Sequence, residues 1–199
     1  MFDVEGFILV GGQSRRMGRD KAELLLGGQT LAARIADALS AVTKRVSLVG
    51  ARAGYSDLDL PNVPDLRPDW GALGGIQAAL AASGADWIIV VACDLPFVTG
   101  DLLARLESLI KEDIDAVVPL QSDSRPQPVC ALYRREICRK EVEKLIAGGE
   151  HTPRALLANV RTRYVASVEL SDLPGADHFF LNVNTPADFE AAKDLIIGS

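Results

Sequence analysis

The sequence is poor in the residues that build disulfide frameworks and histidine metal centres. Only three cysteines occur among 199 residues, Cys93, Cys130 and Cys138, none in a C-x-x-C spacing, and there are two histidines. An odd number of separated cysteines disfavours a disulfide scaffold or a zinc ribbon and is typical of a reducing, cytoplasmic location. A histidine-rich metal site cannot be built from two histidines.

Long apolar runs and excess positive charge are also lacking. No run approaches the roughly 18 apolar residues of a membrane span, and the first residues lack the basic and apolar regions of a secretory signal. The net charge is −6, whereas a general nucleic-acid binder carries a basic footprint. We therefore expect no membrane association and no nucleic-acid partner.

The composition that is present predicts one globular domain spanning residues 1–199. Hydrophobic residues make up 48% of the chain, which is enough for a sizeable core. The predicted strands are 7–10, 46–49, 87–92 and 115–120, with two further candidates at 129–133 and 179–183. The predicted helices are 31–42, 72–82, 102–110 and 136–146, with further helix starts at 152–153 and 185–186. Apolar strands alternating with helices indicate a three-layer α/β/α fold around a mostly parallel sheet.

Helix starts are marked by hydroxyl residues. Thr30 and Thr99 precede two of the helices, and Thr152 and Thr185 each precede a proline. A threonine hydroxyl can accept a hydrogen bond from the first turn, and proline fits the first helical position. We therefore expect capping hydroxyls at these positions.

A glycine loop follows the first strand directly. Gly11 and Gly12 come immediately after Val10, and the next residues include Arg15, Arg16, Arg19 and Lys21. Ligands of open α/β sheets bind beyond the carboxyl ends of the strands, and glycines let backbone N–H groups approach a phosphate. The spacing fits neither the Walker A loop nor the G-x-G-x-x-G fingerprint, which disfavours a dehydrogenase. The local basic cluster predicts a polyanionic ligand such as a triphosphate.

This loop resembles the G-G-x-S-x-R-M-G-x-D-K signature of nucleotidyltransferases related to molybdenum cofactor guanylyltransferase. Every fixed position matches: Gly11, Gly12, Ser14, Arg16, Met17, Gly18, Asp20 and Lys21. The resemblance implies a Rossmann-like nucleotidyltransferase fold whose N-terminal half binds NTP and whose C-terminal half binds the acceptor. The implied nucleotide contacts include Leu9, Val10, Gly11, Gly12 and Lys21. Arg16 and Lys21 are implied to be catalytic, holding the β- and γ-phosphates.

An aspartate follows the strongest strand. Asp94 lies two residues beyond the apolar run 87–92, where its carboxylate would face the ligand crevice. Magnesium binds one or two carboxylates together with phosphate oxygens and water. Asp94 is therefore predicted as a metal ligand and catalytic residue, and the resembled enzymes carry a similar segment that holds Mg²⁺.

A third segment resembles the family's D-x-x-x-x-x-G-P-L-[AG]-G stretch. It runs over residues 65–75 and has Ala72 where proline is usual. Asp65 matches the nucleotide-contacting aspartate, with Asp69 as the competing candidate, and either could be a turn residue. Gly71, Gly74 and Gly75 are expected to leave room for a base or ribose.

The C-terminal half supplies the acceptor candidates. Residues 125–133 resemble the family's R-P-Q-P-L-x-A-L-Y stretch and place Gln127 towards the acceptor, while residues 182–186 match its N-V-N-T-P ending. Asn182 and Asn184 flank one valine and would share a strand face, where they would bind a pterin or reach the metal. Asn184 could instead belong to a turn. The family also uses a helix start like that of His151 and Arg154 near the acceptor.

The implied reaction is GMP transfer from GTP to the phosphate of molybdopterin, with release of pyrophosphate and Mg²⁺ as cofactor. Contacts with other cofactor-biosynthesis proteins are an accompanying expectation. Val49 stands where some guanylyltransferases carry an asparagine, whereas the Gly11–Gly12 pair resembles guanylyl rather than cytidylyl members. The alternatives are another base or acceptor, of cytidylyl or sugar-phosphate type, and a nucleotide-binding regulator without catalysis.

Overall fold

The computed structural model describes residues 2–10, 21–51, 58–67 and 70–197, with the backbone alone at 21 and 197. Gly11, Gly12, Arg16 and Asp69, which the sequence analysis singles out, lie outside these ranges. The strands are β1 (Val4–Leu9), β2 (Leu25–Leu26), β3 (Gln29–Thr30), β4 (Val46–Val49), β5 (Asn62–Val63), β6 (Trp87–Ala92), β7 (Ala116–Pro119), β8 (Cys130–Arg134) and β9 (Thr162–Val165). The helices are α1 (Leu31–Ser40), α2 (Gly71–Ala82), α3 (Gly100–Glu107), α4 (Arg135–Ala147), α5 (Pro153–Asn159) and α6 (Pro186–Ile197).

Seven strands form the central sheet in the order β5-β4-β1-β6-β8-β7-β9. All of its pairings are parallel except those of β8, which runs antiparallel to both β6 and β7. The carboxyl ends of six strands and the amino end of β8 therefore meet at one edge of the sheet. β6 is the middle strand of this order.

Helices cover both faces of the sheet. α1 and α3 bury residues such as Ile35 and Leu103 in one apolar cluster. α2, α4 and α5 bury residues such as Ile76, Val142 and Leu156 in a second cluster, on the opposite face. The predicted three-layer α/β/α architecture with a mostly parallel sheet is confirmed. Among the helices of the described ranges, none combines the length and apolar composition needed to cross a membrane.

The predicted capping hydroxyls are confirmed at Thr30, Thr99 and Thr185 and wrong at Thr152. The Thr30 hydroxyl accepts from the Ala33 N–H at 3.1 Å, and the Thr99 hydroxyl accepts from the Leu102 N–H at 3.3 Å. The Thr152 hydroxyl instead donates to Glu150 Oε1 at 2.8 Å and makes no cap hydrogen bond. Glu150 Oε1 also accepts from the Thr152 N–H at 2.8 Å, so this carboxylate sets the orientation of the Thr152 hydroxyl.

The predicted strand over 179–183 is wrong. These residues form turns and irregular chain, although Phe179 and Val183 are buried as a strand pattern would require. Phe179 packs into the apolar cluster that α1 and α3 cover, and Val183 packs with Leu26, Leu31 and Ala192, so neither side chain is buried by strand pairing. β6 already pairs with β1 and β8 on its two edges, so it has no free edge for this segment.

The sequence analysis also missed several short strands. β2, β3 and β5 have two residues each. Strands this short cannot show the alternation of apolar and polar residues from which strands are predicted. β9 reads Thr-Arg-Tyr-Val and lies at the edge of the sheet. An edge strand whose polar side chains are only partly buried lacks the apolar run by which central parallel strands are recognised.

Candidate functional site

The predicted site residues gather along the carboxyl edge of the sheet. Asp65 follows β5, Asp94 follows β6, and Gln127 precedes the antiparallel β8. Because β6 is central, Asp94 has the ends of β1, β4 and β5 on one side and the ends of β8, β7 and β9 on the other. This arrangement separates a half that carries the glycine loop from a half that carries the predicted acceptor residues.

The end of β1, after which the glycine loop begins in the sequence, lies beside the segment of Asp94. Cys93 donates its backbone N–H to the Leu9 carbonyl at 3.1 Å, and Val10 donates its N–H to the Val49 carbonyl at 3.1 Å. The side chains of Leu9 and Val10 are buried in different clusters, on opposite faces of the sheet. A nucleotide would therefore meet these two residues through their backbone.

The chain after β6 turns sharply to present Asp94. Leu95 donates its N–H to the Ala92 carbonyl at 3.2 Å, which closes a tight turn. Cys93 and Leu95 are buried on either side of the partly buried aspartate. Packing of both neighbours holds the Asp94 segment rigidly at the strand end.

The two predicted asparagines lie beside this turn. Val183 donates its N–H to the Asp94 carbonyl at 2.9 Å, and its side chain is buried with Leu26, Leu31 and Ala192 in a small apolar cluster. Asn182 and Asn184 are exposed on either side of it. The strand from which their common face was predicted does not exist, but the buried valine still anchors both residues next to Asp94.

A carboxylate fixes the chain that leads into α6. Asp188 Oδ2 accepts from the N–H groups of Asn184 at 2.9 Å and Thr185 at 2.8 Å, and the Thr185 hydroxyl accepts from the Asp188 N–H at 3.2 Å. This reciprocal cap confirms the predicted helix start at Thr185–Pro186. Asn184 therefore lies in irregular chain directly before the helix start, next to Val183, whose N–H binds the Asp94 carbonyl.

Gln127 lies between the ends of β6 and β7. Its backbone N–H donates to the Pro119 carbonyl at 3.0 Å, and two residues later the Val129 carbonyl accepts from Ala92 at 2.8 Å. The residue is 5% exposed. Within the described ranges its side-chain amide forms no hydrogen bond, which leaves it able to bind a ligand.

Asp65 shapes the approach to α2. Its Oδ1 accepts from the Arg67 N–H at 3.2 Å, which is an Asx turn. The expected room beside Gly74 and Gly75 is filled by the protein: a Cβ there would lie 2.9 Å from Trp70 Cβ and 3.0 Å from a Leu9 methyl, respectively. Of these three glycines, only Gly71 has open space, and its φ of +56° favours glycine. The expectation for Gly74 and Gly75 is therefore wrong, because their smallness serves packing.

A stack of side chains near this helix start was not predicted. The rings of Trp70 and His151 stack with centroids 4.0 Å apart at an interplanar angle of 22°, and the Arg67 guanidinium lies 5.7 Å from the centre of the Trp70 ring. The stack joins the start of α2 to the loop before α5. No sequence spacing signals a contact between residues so far apart in the chain.

The side chains of Val49, Cys130 and Cys138 supply no reactive group. Val49 is buried in the core, so its side chain does not recognise a base. All three cysteines are buried and outside any disulfide, and burial raises the pKa of the Cys130 and Cys138 thiols to about 12. These two side chains act as small apolar residues, because thiolates form the reactive species.

The donors around Asp94 are oxygen ligands. The described residues contain no group of three or more His, Cys, Asp or Glu side chains placed to hold a metal. One carboxylate, with the exposed residues Asn182 and Asn184 on the adjoining segment, fits a hard divalent cation that takes its remaining ligands from phosphate and water. It does not fit a closed structural zinc site.

Comparison with known proteins agrees with this geometry. Residues 6–166 match the model of the MobA-like NTP transferase domain. The chain is 35% identical over 194 residues to a probable molybdenum cofactor guanylyltransferase of Pelotomaculum thermopropionicum, covering 97% of this chain and 93% of that protein. It is 34% identical over 190 residues to molybdenum cofactor guanylyltransferase of Vibrio cholerae, covering 94% and 89% of the two chains.

Solved structures share the whole fold. Molybdopterin-guanine dinucleotide biosynthesis protein A from Archaeoglobus fulgidus aligns with a TM-score of 0.83 at 26% identity, covering 98% of this chain and 100% of that one. A 2-C-methyl-D-erythritol 4-phosphate cytidylyltransferase from Thermus thermophilus aligns with a TM-score of 0.68 at 17% identity, covering 96% and 98%, and shares the fold alone. The chain described here belongs to the family of MobA-like NTP transferase domains.

Proposed function

We propose that this protein transfers GMP from GTP to the terminal phosphate of molybdopterin cofactor, releasing pyrophosphate and forming the guanine dinucleotide cofactor. The observation that carries the proposal is the central position of Asp94 between the glycine-loop half and the half with Gln127, in a chain of this family. Residues 1–199 act as one unit in which the first half binds GTP and the second half binds the acceptor.

The chemistry requires alignment more than proton transfer. The acceptor phosphate is already an anion at neutral pH, so no strong general base is needed. The protein must hold an acceptor oxygen in line with the α-phosphorus of GTP and offset the charge of the departing pyrophosphate. Arg16 and Lys21 hold the β- and γ-phosphates, and backbone N–H groups of Gly11 and Gly12 bind phosphate or base.

A divalent cation belongs at the centre of this site, and we propose Mg²⁺. Asp94 would hold it, with Asn182 or Asn184 as an adjacent oxygen ligand. When bound, the ion neutralises phosphate charge at the reacting centre. The turn after β6 and the buried Val183 keep the protein ligands in place before substrates arrive.

Base recognition is assigned to the backbone. The buried Val49 side chain cannot hydrogen-bond a base, whereas Gly11 and Gly12 let a purine edge lie close to the main chain. Asp65 contacts the nucleotide on the same side of the sheet. Hydrogen bonds in a buried pocket discriminate strongly, because a wrong base leaves polar groups unpaired.

The proposal is tested by offering each of the four NTPs with Mg²⁺ and molybdopterin and determining the mass of the product. The guanine dinucleotide and pyrophosphate are the expected products, with the highest kcat/KM for GTP. Equal or better use of CTP would overturn the base assignment and favour the cytidylyl alternative. Tight GTP binding without pyrophosphate release would indicate a regulator.

Asn184→Ala is expected to impair acceptor use or metal binding more than GTP binding. Asn184 lies beside Asp94 on the segment held by Val183, whereas the glycine loop leaves from β1. We expect a higher KM for molybdopterin or a higher Mg²⁺ requirement, measured by steady-state kinetics. Loss of GTP affinity with unchanged acceptor kinetics would contradict this role.

A further inference from the structure

A second cleft opens at the same edge of the sheet, beyond the ends of β7 and β9. It has a volume of about 390 Å³, and its walls include Gln121, Ser167, Val168, Asp177, Phe180 and Leu181. Val168 is 74% exposed and Leu181 is 42% exposed. Apolar side chains this open to solvent beside a cleft are typical of a surface that a ligand covers.

The cleft is connected to Asp94 by two segments of chain. Phe180 and Leu181 form part of its wall, and two residues further on Val183 donates its N–H to the Asp94 carbonyl. The segment of Gln127 runs from the end of β7 to the end of β6. β6 and β7 are separated by β8 alone, so their ends lie about 10 Å apart, two strand spacings.

The lining chemistry excludes a phosphate and favours a flat uncharged ring. No lysine or arginine lines the cleft within the described residues, and Asp177 contributes a carboxylate. An anion would meet repulsion there, since phosphate sites use cations or helix N-termini. The Phe180 ring and the aliphatic side chains offer faces for an aromatic ring to pack against.

The polar groups of the cleft match a heterocycle with N–H donors along one edge. The Ser171 hydroxyl is engaged with the Val168 carbonyl at 2.8 Å. The side chains of Gln121, Ser167 and Asp177 form no hydrogen bonds within the described ranges. A carboxylate accepts well from a pair of adjacent N–H groups, as an aminopyrimidinone presents, and an amide and a hydroxyl can bind its remaining polar atoms.

We propose that this cleft binds the uncharged, fused heterocyclic end of the acceptor while the acceptor's phosphate end lies at Asp94. The assignment rests on the phosphate acceptor proposed above. Gln127 then lies along the middle of the bound acceptor. Specificity for a pterin-type acceptor over a sugar phosphate would come from the aromatic and carboxylate walls of the cleft.

Two substitutions test the cleft. Asp177→Asn removes the charged acceptor, and Val168→Glu places a charge on the wall; both residues are exposed, so folding is not threatened. Ile137→Glu is the matched control, because Ile137 is an exposed apolar residue of α4 on the opposite face. Each cleft variant is expected to raise the KM for molybdopterin at least about tenfold, the scale of one charge-assisted hydrogen bond. The KM for GTP should stay within twofold, and the control should match the parent.

A direct binding measurement separates this inference from the proposed function. Fluorescence titration with 6-hydroxymethylpterin, which carries no phosphate, should show saturable binding that both cleft variants weaken. Binding with this pattern supports the cleft even if the parent transfers GMP to a different acceptor. The inference is overturned if the parent does not bind the pterin. It is also overturned if the KM for the acceptor in GMP transfer is the same in the parent and in all variants. If the cleft instead binds a partner protein, the KM for the acceptor should be the same in the parent and in both cleft variants, and this result would also overturn the inference.

Discussion

Asp94→Asn is expected to fold as the parent does and to lose at least about a hundredfold in GMP transfer, the scale of removing one preorganised charge at a reacting centre. Asparagine keeps the shape of the side chain and one oxygen but loses the negative charge. Because Asp94 follows the end of the central strand, its charge is the feature that would hold a divalent cation between the two substrates. Pyrophosphate release and product mass measure the loss.

An aspartate-to-asparagine substitution at Asp86, just before the other end of β6, provides the control. Asp86 is exposed, directly precedes Trp87 and lies at the opposite edge of the sheet, so Asp86→Asn should retain parental turnover. Thermal unfolding should give similar midpoints for Asp94→Asn and the parent. Near-parental turnover of Asp94→Asn at saturating Mg²⁺ would exclude the metal-holding role.

Asp115→Ala is expected to lower the free energy of unfolding substantially. Asp115 is 3% exposed, and its carboxylate accepts from Arg161 Nε at 2.7 Å, Arg161 Nη2 at 2.8 Å and the Arg161 backbone at 3.2 Å. Arg134 Nε lies 3.7 Å away. The carboxylate thus joins the amino end of β7 to the neighbouring ends of β8 and β9.

The expected cost is about 3 kcal/mol of unfolding free energy, the lower end for removing one partner of a buried ion pair. A partly buried Arg134 would lose its nearest charge, while Arg161 keeps access to solvent. The melting temperature should fall by roughly 6–12 °C. Asp113→Ala is the control, since Asp113 is exposed two residues earlier; its effect should stay within about 0.5 kcal/mol. Equal effects of the two substitutions would contradict the assignment.

The contribution of Asp115 should also depend on pH. Hydrogen bonds from Arg161 hold the pKa of the Asp115 carboxyl below its ordinary value in the folded state. A lowered folded-state pKa stabilises the protein fully above the unfolded value of about 3.9, and this stabilisation is lost as the pH falls through the folded pKa. The difference in unfolding free energy between the parent and Asp115→Asn should therefore be constant near neutral pH and shrink below about pH 4. A difference that grows on acidification would contradict this sign.

Much of the local structure and the position of Asp94 could be predicted from the sequence alone. The apolar run 87–92 is buried almost throughout as β6, and the hydroxyls of Thr30 and Thr99 start helices where expected. An aspartate directly after a buried parallel strand reaches the ligand edge in any open α/β sheet. These features depend on neighbours close in sequence, so periodicity and capping chemistry are sufficient to predict them.

The tertiary structure alone decided which strand is central and how the acceptor half is built. The antiparallel pairing of β8, the hydrogen bond that joins the segment of Asn184 to Asp94, and the stack of Trp70 on His151 all join residues distant in the chain. The segment 179–183 shows the reason most clearly. Its apolar pattern suits a strand, but β6 has no free edge, and burial of Phe179 and Val183 against other elements replaces sheet pairing. Local pattern sets which residues are buried, whereas competition for partners across the whole fold decides what buries them.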